Sequence, residues 1–65
     1  MKFVVLQEIN RRWYWELRLS DGEAIARSPM GFSTNEQACS AIRRLRSAVP
    51  MALVFDLTGN LIQGI

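Results

Sequence analysis

Residues 13–19 alternate strictly between two kinds of side chain, and this run constrains the fold more than any other part of the sequence. One side carries two tryptophans and two leucines, and the other carries Tyr14, Glu16 and Arg18. The apolar positions are Trp13, Trp15, Leu17 and Leu19. A period of two is typical of a strand with one buried face, so the run predicts a β-strand that anchors a core.

Two further strands are predicted around this one. Residues 2–9 are rich in β-branched and aromatic side chains, and residues 23–28 form a short third run that ends before Pro29. Residues 10–12 are a polar break that predicts the first hairpin turn. Asp21-Gly22 predicts the second turn, because glycine readily adopts the positive φ that a tight hairpin needs.

A helix is predicted after the third strand. Ser33 with Glu36 fits a capping box, and Thr34 with Gln37 is a second candidate one residue later. The helix should run to about residue 48 and stop before Pro50. Spacings of three and four predict its inward stripe. The stripe consists of Ala38, Ala41, Ile42 and Leu45.

Residues 52–57 predict a fourth strand, residues 58–60 a turn, and residues 61–63 leave a short fifth strand open. The element order is then β-β-β-α-β. Strands followed by one helix are typical of the α+β class, with an antiparallel sheet covered on one face by the helix. The 65 residues are expected to form a single domain across 1–65.

Both faces of the predicted sheet carry apolar groups. The first strand places Phe3, Val5 and Ile9 on one side, and one helix covers only one side. The other face supplies the candidate interface residues, which are Val4, Leu6, Tyr14 and Arg18. Because so short a chain buries only about 60% of its unfolded surface, a second copy is the simplest cover. The sequence therefore predicts a homodimer that acts through protein contacts.

Composition excludes most catalytic chemistry. The chain has no histidine and one cysteine, so a Ser-His-Asp triad, a His-ligated metal and a cysteine zinc site are not available. We expect no enzyme activity, no cofactor and no metal. The apolar runs are far shorter than the roughly 20 residues that cross a bilayer, and no signal peptide is predicted. A lone thiol favours the cytoplasm.

A nucleic-acid-binding module is the alternative function. The net charge is only +2, but arginines flank the aromatic strand and end the helix, and Tyr14 offers a surface for base stacking. The candidate contacts are Arg11, Arg12, Arg43, Arg44 and Arg46. The competing interpretation of the helical arginines is a solvated face that complements the helix dipole. A third interpretation is an inhibitor that docks on a larger protein.

Two further residues invite a chemical reading. Cys39 lies on the first helical turns, where a thiol can be reactive, but without a histidine or second cysteine we interpret it as a small packing residue. Residues 54–60 resemble the nucleophilic-aspartate loop of haloacid dehalogenase phosphatases at Asp56. That chemistry needs magnesium ligands, a lysine and a parallel α/β domain, so we interpret Asp56–Asn60 as a turn after a strand.

The residues together resemble the YegP-like domain family, small bacterial proteins of unknown function. The likeness runs from Phe3 to about Arg46. It rests on Trp13–Arg18, Asp21-Gly22-Glu23, Gly31-Phe32-Ser33 and the Ala38, Ala41-Ile42 stripe. The resemblance implies a β-β-β-α-β unit that occurs as a tandem pair or as a single copy that pairs with another. It implies no catalytic or cofactor residues. The present chain departs from the family at residues 10–12, which lack the usual hairpin glycine.

Overall fold

Three antiparallel strands and one helix form the described part of the chain, residues 1–63 of a computed structural model. The strands lie in the order β1-β2-β3. Their bounds are β1 Lys2–Gln7, β2 Trp13–Arg18 and β3 Ala24–Arg27. The helix α1 spans Asn35–Ala48 and continues as a 3₁₀ turn over Val49–Met51. The predicted α+β class is confirmed, with the order β-β-β-α.

The strand register assigns the two faces of the sheet. Val5 lies opposite Trp15, and Leu6 lies opposite Tyr14, so the alternation in β2 continues across β1. The helix packs on the face that carries Trp15. The prediction that Ile9 shares this face is wrong: its side chain is fully exposed, because β1 ends at Gln7 and residues 8–12 form the turn.

The two hairpin turns use different residues for their positive φ. Gly22 supplies it in the second turn, as predicted, with φ 91°. In the first turn Arg11 takes φ 65°, and its N–H donates to the carbonyl of Glu8 at 2.8 Å. The Asn10 side chain accepts from the N–H of Arg12 at 2.9 Å. These bonds hold an arginine in a conformation that glycine adopts more readily.

Thr34, not Ser33, caps the helix. Its hydroxyl accepts from the N–H of Gln37 at 3.1 Å, and the Gln37 side chain accepts from the N–H of Ser33 at 3.0 Å. The second candidate of the sequence analysis is therefore confirmed and the first is wrong. The helix begins one residue later than Ser33 predicts, because the Thr34 hydroxyl satisfies one of the free N–H groups of the first turn and the Gln37 side chain reaches back to the residue before the cap.

The core is thin and centres on β2. Trp15 and Ala38 are the buried apolar residues within residues 1–63, and Phe3 meets the Trp15 ring edge-on at 5.6 Å. Such edge-to-face pairs are favoured by the charge distribution of aromatic rings. The small methyl side chain of Ala38, fully buried, lets α1 approach the sheet closely. The predicted helical stripe is confirmed, with its remaining members half-buried.

Residues 52–57 do not form the predicted fourth strand. They pair instead with the returning chain through a single bridge between Phe55 and Leu61, and the N–H of Ile62 donates to the carbonyl of Val54 at 2.8 Å. The short fifth strand is reduced to the same bridge. The local pairing forms because the turn at Asp56 closes at once, whereas joining the sheet requires the chain to fold back past the end of α1. Residues 53–63 make no described backbone hydrogen bond to the sheet.

Candidate interaction surfaces

An apolar groove opens between the last turns of α1 and the helix-facing side of the sheet. Its volume is about 420 Å³. Its walls include Phe3, Trp15, Leu17, Leu45, Val49 and Pro50. Ala26 on β3 is too small to fill the space between helix and sheet, and Arg46 has the single charged side chain in the lining. Within the described chain the groove thus presents hydrocarbon to solvent, with one cation beside it.

The segment that follows α1 is also apolar and exposed. Leu53 is 70% exposed, Phe55 54% and Leu57 104%. Val54, Leu61 and Ile62 are exposed as well. Scattered exposed apolar residues are ordinary on protein surfaces, but a contiguous apolar stretch is a candidate interaction surface.

The sheet face opposite the helix is more polar than the groove. The Arg27 guanidinium lies 4.4 Å from the centre of the Tyr14 ring and pairs with Glu8 at 2.6 Å. Arg18 pairs with Glu16 at 2.6 Å. The register places all four candidate interface residues on this face, where they are half-buried. Their role in an interface stays a prediction. These four residues are Val4, Leu6, Tyr14 and Arg18.

The candidate nucleic-acid contacts fall into two groups. Arg11 and Arg12 lie in the first hairpin turn, and Arg12 approaches Gly31 and Tyr14 on the polar face. The helical arginines lie on the layer that covers the other face: Arg46 borders the apolar groove, and Arg44 a smaller groove beside Phe32. Among the described residues no contact joins Arg12 to the arginines of α1, although Arg12 lies beside Gly31 and Arg44 beside Phe32. Nucleic-acid binding stays a prediction.

Asp56 organises the turn in which the sequence analysis placed it. Its Oδ1 accepts from the N–H of Asn60 at 2.9 Å, and from the N–H and hydroxyl of Thr58 at 3.0 and 2.8 Å. The hydrogen bond from the Asn60 backbone, followed by that from the Thr58 side chain, holds the pKa of Asp56 below its usual 3.8. The carboxylate is thus engaged as an acceptor within its own loop.

Cys39 is half-buried on the helix, where its thiol donates to the side-chain carbonyl of Asn35 at 3.3 Å. No group of three acidic, cysteine or histidine side chains comes together in residues 1–63 in a way that could hold a metal ion. Nor is any helix of that range long and apolar enough to span a bilayer.

The groove is the feature that sequence reasoning missed. Its signal was present, because Val49 follows Leu45 by four residues and extends the apolar stripe of the helix. Pro50 hid this signal, since the helix was expected to stop before it. The volume of the groove depends on the distance between the helix and the sheet. The spacing of apolar residues in the sequence does not determine that distance.

Residues 10–56, more than half of the chain, match the family model described as a domain of unknown function, DUF1508. The match includes the strands β2 and β3, the helix and the first residues of the exposed segment. No curated protein and no solved structure gives a significant match. The family is the YegP-like domain, so the resemblance found in the sequence is confirmed. The chain belongs to the DUF1508 family, the YegP-like domain of unknown function.

Proposed function

We propose that this protein is a non-enzymatic homodimer that acts through protein contacts, in which residues 52–62 of each copy pack on the other copy. The observation that carries the proposal is the coexistence, in one chain, of an exposed apolar segment and an open apolar groove. Each feature exposes apolar surface to water, which is unfavourable, and packing the segment into the groove would bury both apolar surfaces. The absence of histidine and the single cysteine support the non-enzymatic part.

The accessible surface of the single chain supports association. A folded monomer of 7.4 kDa is expected to expose about 4,200 Å². This chain exposes 5358 Å². The excess is about 1,100 Å², whereas a stable interface buries about 800 Å² on each partner. The radius of gyration, 14.2 Å, likewise exceeds the roughly 11 Å of a compact chain of this length.

The apolar segment accounts for much of this excess. Full burial of a Leu or Phe side chain stabilises the state that buries it by about 1.5–3 kcal/mol. A symmetric dimer buries two segments, one from each copy. Association itself costs several kcal/mol in lost freedom of motion, so a few exposed side chains are not enough. In the proposed dimer Leu53, Phe55 and Leu57 from both copies, six exposed side chains in all, together with the groove walls offset that cost.

The path of the chain favours exchange between copies over closure within one. The 3₁₀ turn over Val49–Met51 follows α1 directly, and Ala52 then adopts an extended conformation with φ −71° and ψ 131°. Val49 and Pro50 are themselves part of the groove wall. The segment therefore starts at the groove rim, yet none of the described residues 51–63 lines the groove of its own chain, which leaves that groove available to the segment of a neighbour. The family match extends to Asp56, so the segment starts within the range that the family model covers.

The proposal is tested by measuring mass in solution. Light scattering after gel filtration, at tens of micromolar, should give twice the 7.4 kDa mass of the chain. The variant Phe55→Asp should shift the mass toward the monomer, because it places a charge in an apolar contact. Ile9→Asp is the matched control, since Ile9 is fully exposed at the first hairpin turn. A monomeric wild-type chain, or equal effects of the two variants, would overturn the proposal.

The sequence-based interface on the polar sheet face is tested by the same measurement. Leu6→Asp alters that face without touching the groove or the segment. If the face contributes, this variant should weaken the dimer more than Ile9→Asp does. An unchanged dimer would assign the contact to the segment and groove alone.

A further inference from the structure

The groove and the segment carry one charged side chain each, of opposite sign. Arg46 has the single charged side chain that lines the groove, and none of the described residues forms an ion pair with it. Asp56 is the single charged side chain after Arg46 in the sequence. We propose that Asp56 of one copy pairs with Arg46 of the other and sets the register in which the segment enters the groove.

This inference rests on the proposed homodimer and adds to it the residues that give the contact its specificity. An apolar groove discriminates weakly among apolar side chains of similar size. Leu53, Phe55 and Leu57 would each satisfy its walls, so the hydrophobic contact by itself permits several registers. A single pair of opposite charges removes that ambiguity, because every register but one leaves a carboxylate beside hydrocarbon or away from its cation.

The geometry of Asp56 leaves one oxygen for such a pair. All the described hydrogen bonds to its carboxylate, from Thr58 and Asn60, go to Oδ1. None of the described donors reaches Oδ2. The turn therefore fixes the orientation of the carboxylate through one oxygen and presents the other outward.

The position of Asp56 in the segment also suits the rim. Neighbouring side chains of an extended chain point to opposite sides, so when Phe55 enters the groove, Asp56 points away from its floor. Arginine covers apolar surface with its stem and keeps its guanidinium at the edge. Arg46 can thus border the groove and still meet a carboxylate at its rim.

A rim pair of this kind changes affinity modestly. Each exposed ion pair contributes about 0–1 kcal/mol and the symmetric dimer contains two, which corresponds to a change of up to about thirtyfold in the dimer dissociation constant. Reversing one charge replaces attraction by repulsion at both contacts, so the effect of Arg46→Glu or Asp56→Arg should exceed that of neutralising the charge and reach about tenfold or more. The effect should shrink at high salt, since salt screens exposed charges.

The test uses two charge-reversed variants of the full chain. In an Arg46→Glu homodimer two carboxylates face each other, and in an Asp56→Arg homodimer two guanidiniums do. When the two variants are mixed, both contacts become attractive again. Sedimentation equilibrium should therefore show weak homodimers and a heterodimer about as tight as the wild type. Such rescue in trans is not expected if either substitution merely disrupts folding.

Arg43→Glu is the matched control, because it makes the same charge change on an exposed position of the same helix. Asp56→Asn is a second variant that keeps Oδ1 as an acceptor for Thr58 and Asn60 while removing the charge. A heterodimer no tighter than the homodimers, or equal effects of Arg46→Glu and Arg43→Glu, would overturn the inference while leaving the homodimer in place. A monomeric wild-type chain would overturn both.

Discussion

Ser28 occupies both backbone hydrogen-bonding groups of Trp15. Its N–H donates to the Trp15 carbonyl at 2.9 Å, and its hydroxyl accepts from the Trp15 N–H at 3.2 Å. Ser28 comes directly after β3, where the regular pairing with β2 ends. The hydroxyl therefore takes the place of a strand carbonyl beside the most buried aromatic residue of the chain.

The variant Ser28→Ala should be markedly destabilised. It leaves the buried N–H of Trp15 without its acceptor, which costs about 1–3 kcal/mol. Urea unfolding followed by tryptophan fluorescence, at one fixed protein concentration, measures the loss. Ser47→Ala is the control, because Ser47 is exposed on the last turn of α1 and such changes stay within about 0.5 kcal/mol. Equal losses in the two variants would show that the hydroxyl of Ser28 is dispensable.

The helix cap yields a second prediction that separates two neighbouring residues. Thr34→Ala removes the acceptor for the Gln37 N–H and should lower the free energy of unfolding by about 0.5–2 kcal/mol. Ser33→Ala should have little effect, since the structure uses only the backbone N–H of Ser33. Far-UV circular dichroism during unfolding measures both variants. A larger loss of stability for Ser33→Ala than for Thr34→Ala would show that Ser33, the first candidate from the sequence, caps the helix.

Elements whose signals are local could be predicted from the sequence. The alternation around Trp15 identified β2 and its faces, and the Ala38 stripe identified the buried side of the helix. Each depends on residues within one element, so spacing is sufficient. The same holds for Gly22, whose turn is encoded by two adjacent residues.

The errors arose where the outcome depended on more than one element. Ile9 continues the alternating pattern of β1 in the sequence, but the strand ends at Gln7, two residues before it, and Ile9 lies in the hairpin turn. Residues 52–57 have strand composition, yet whether they join the sheet or pair with the returning chain depends on the turn at Asp56 and on the path after α1, and their own composition does not contain either. The groove beside Val49 depends in the same way on the distance between helix and sheet.

Gly31 should tolerate alanine poorly. A Cβ there would lie 2.6 Å from the Cβ of Arg12 and 2.8 Å from the hydroxyl of Tyr14. Overpacking of this kind typically costs about 1–3 kcal/mol. The displacement should also be visible by NMR as shifted Tyr14 resonances. Gly22→Ala is the comparison, because a Cβ there meets no atom within 4 Å. The only destabilisation expected from it is the backbone strain of an alanine at φ 91°. Undisturbed Tyr14 resonances in Gly31→Ala would contradict the expected clash.

The pH dependence of the C-terminal turn is the last prediction. Hydrogen bonds from the Asn60 backbone and the Thr58 side chain lower the pKa of Asp56 below 3.8. A carboxyl group with a lowered pKa stabilises the folded turn at pH values above its unfolded pKa. That contribution is lost as the pH falls through the folded pKa, so the turn should persist down to pH 3.8 and open only in stronger acid. NMR titration of the Asp56 carboxyl carbon measures the midpoint directly. Thr58→Val removes the hydroxyl donor and should raise the midpoint toward 3.8, whereas Thr34→Val, far along the chain, should leave it unchanged. A wild-type midpoint at or above 3.8 would mean that the loop does not hold the carboxylate in solution.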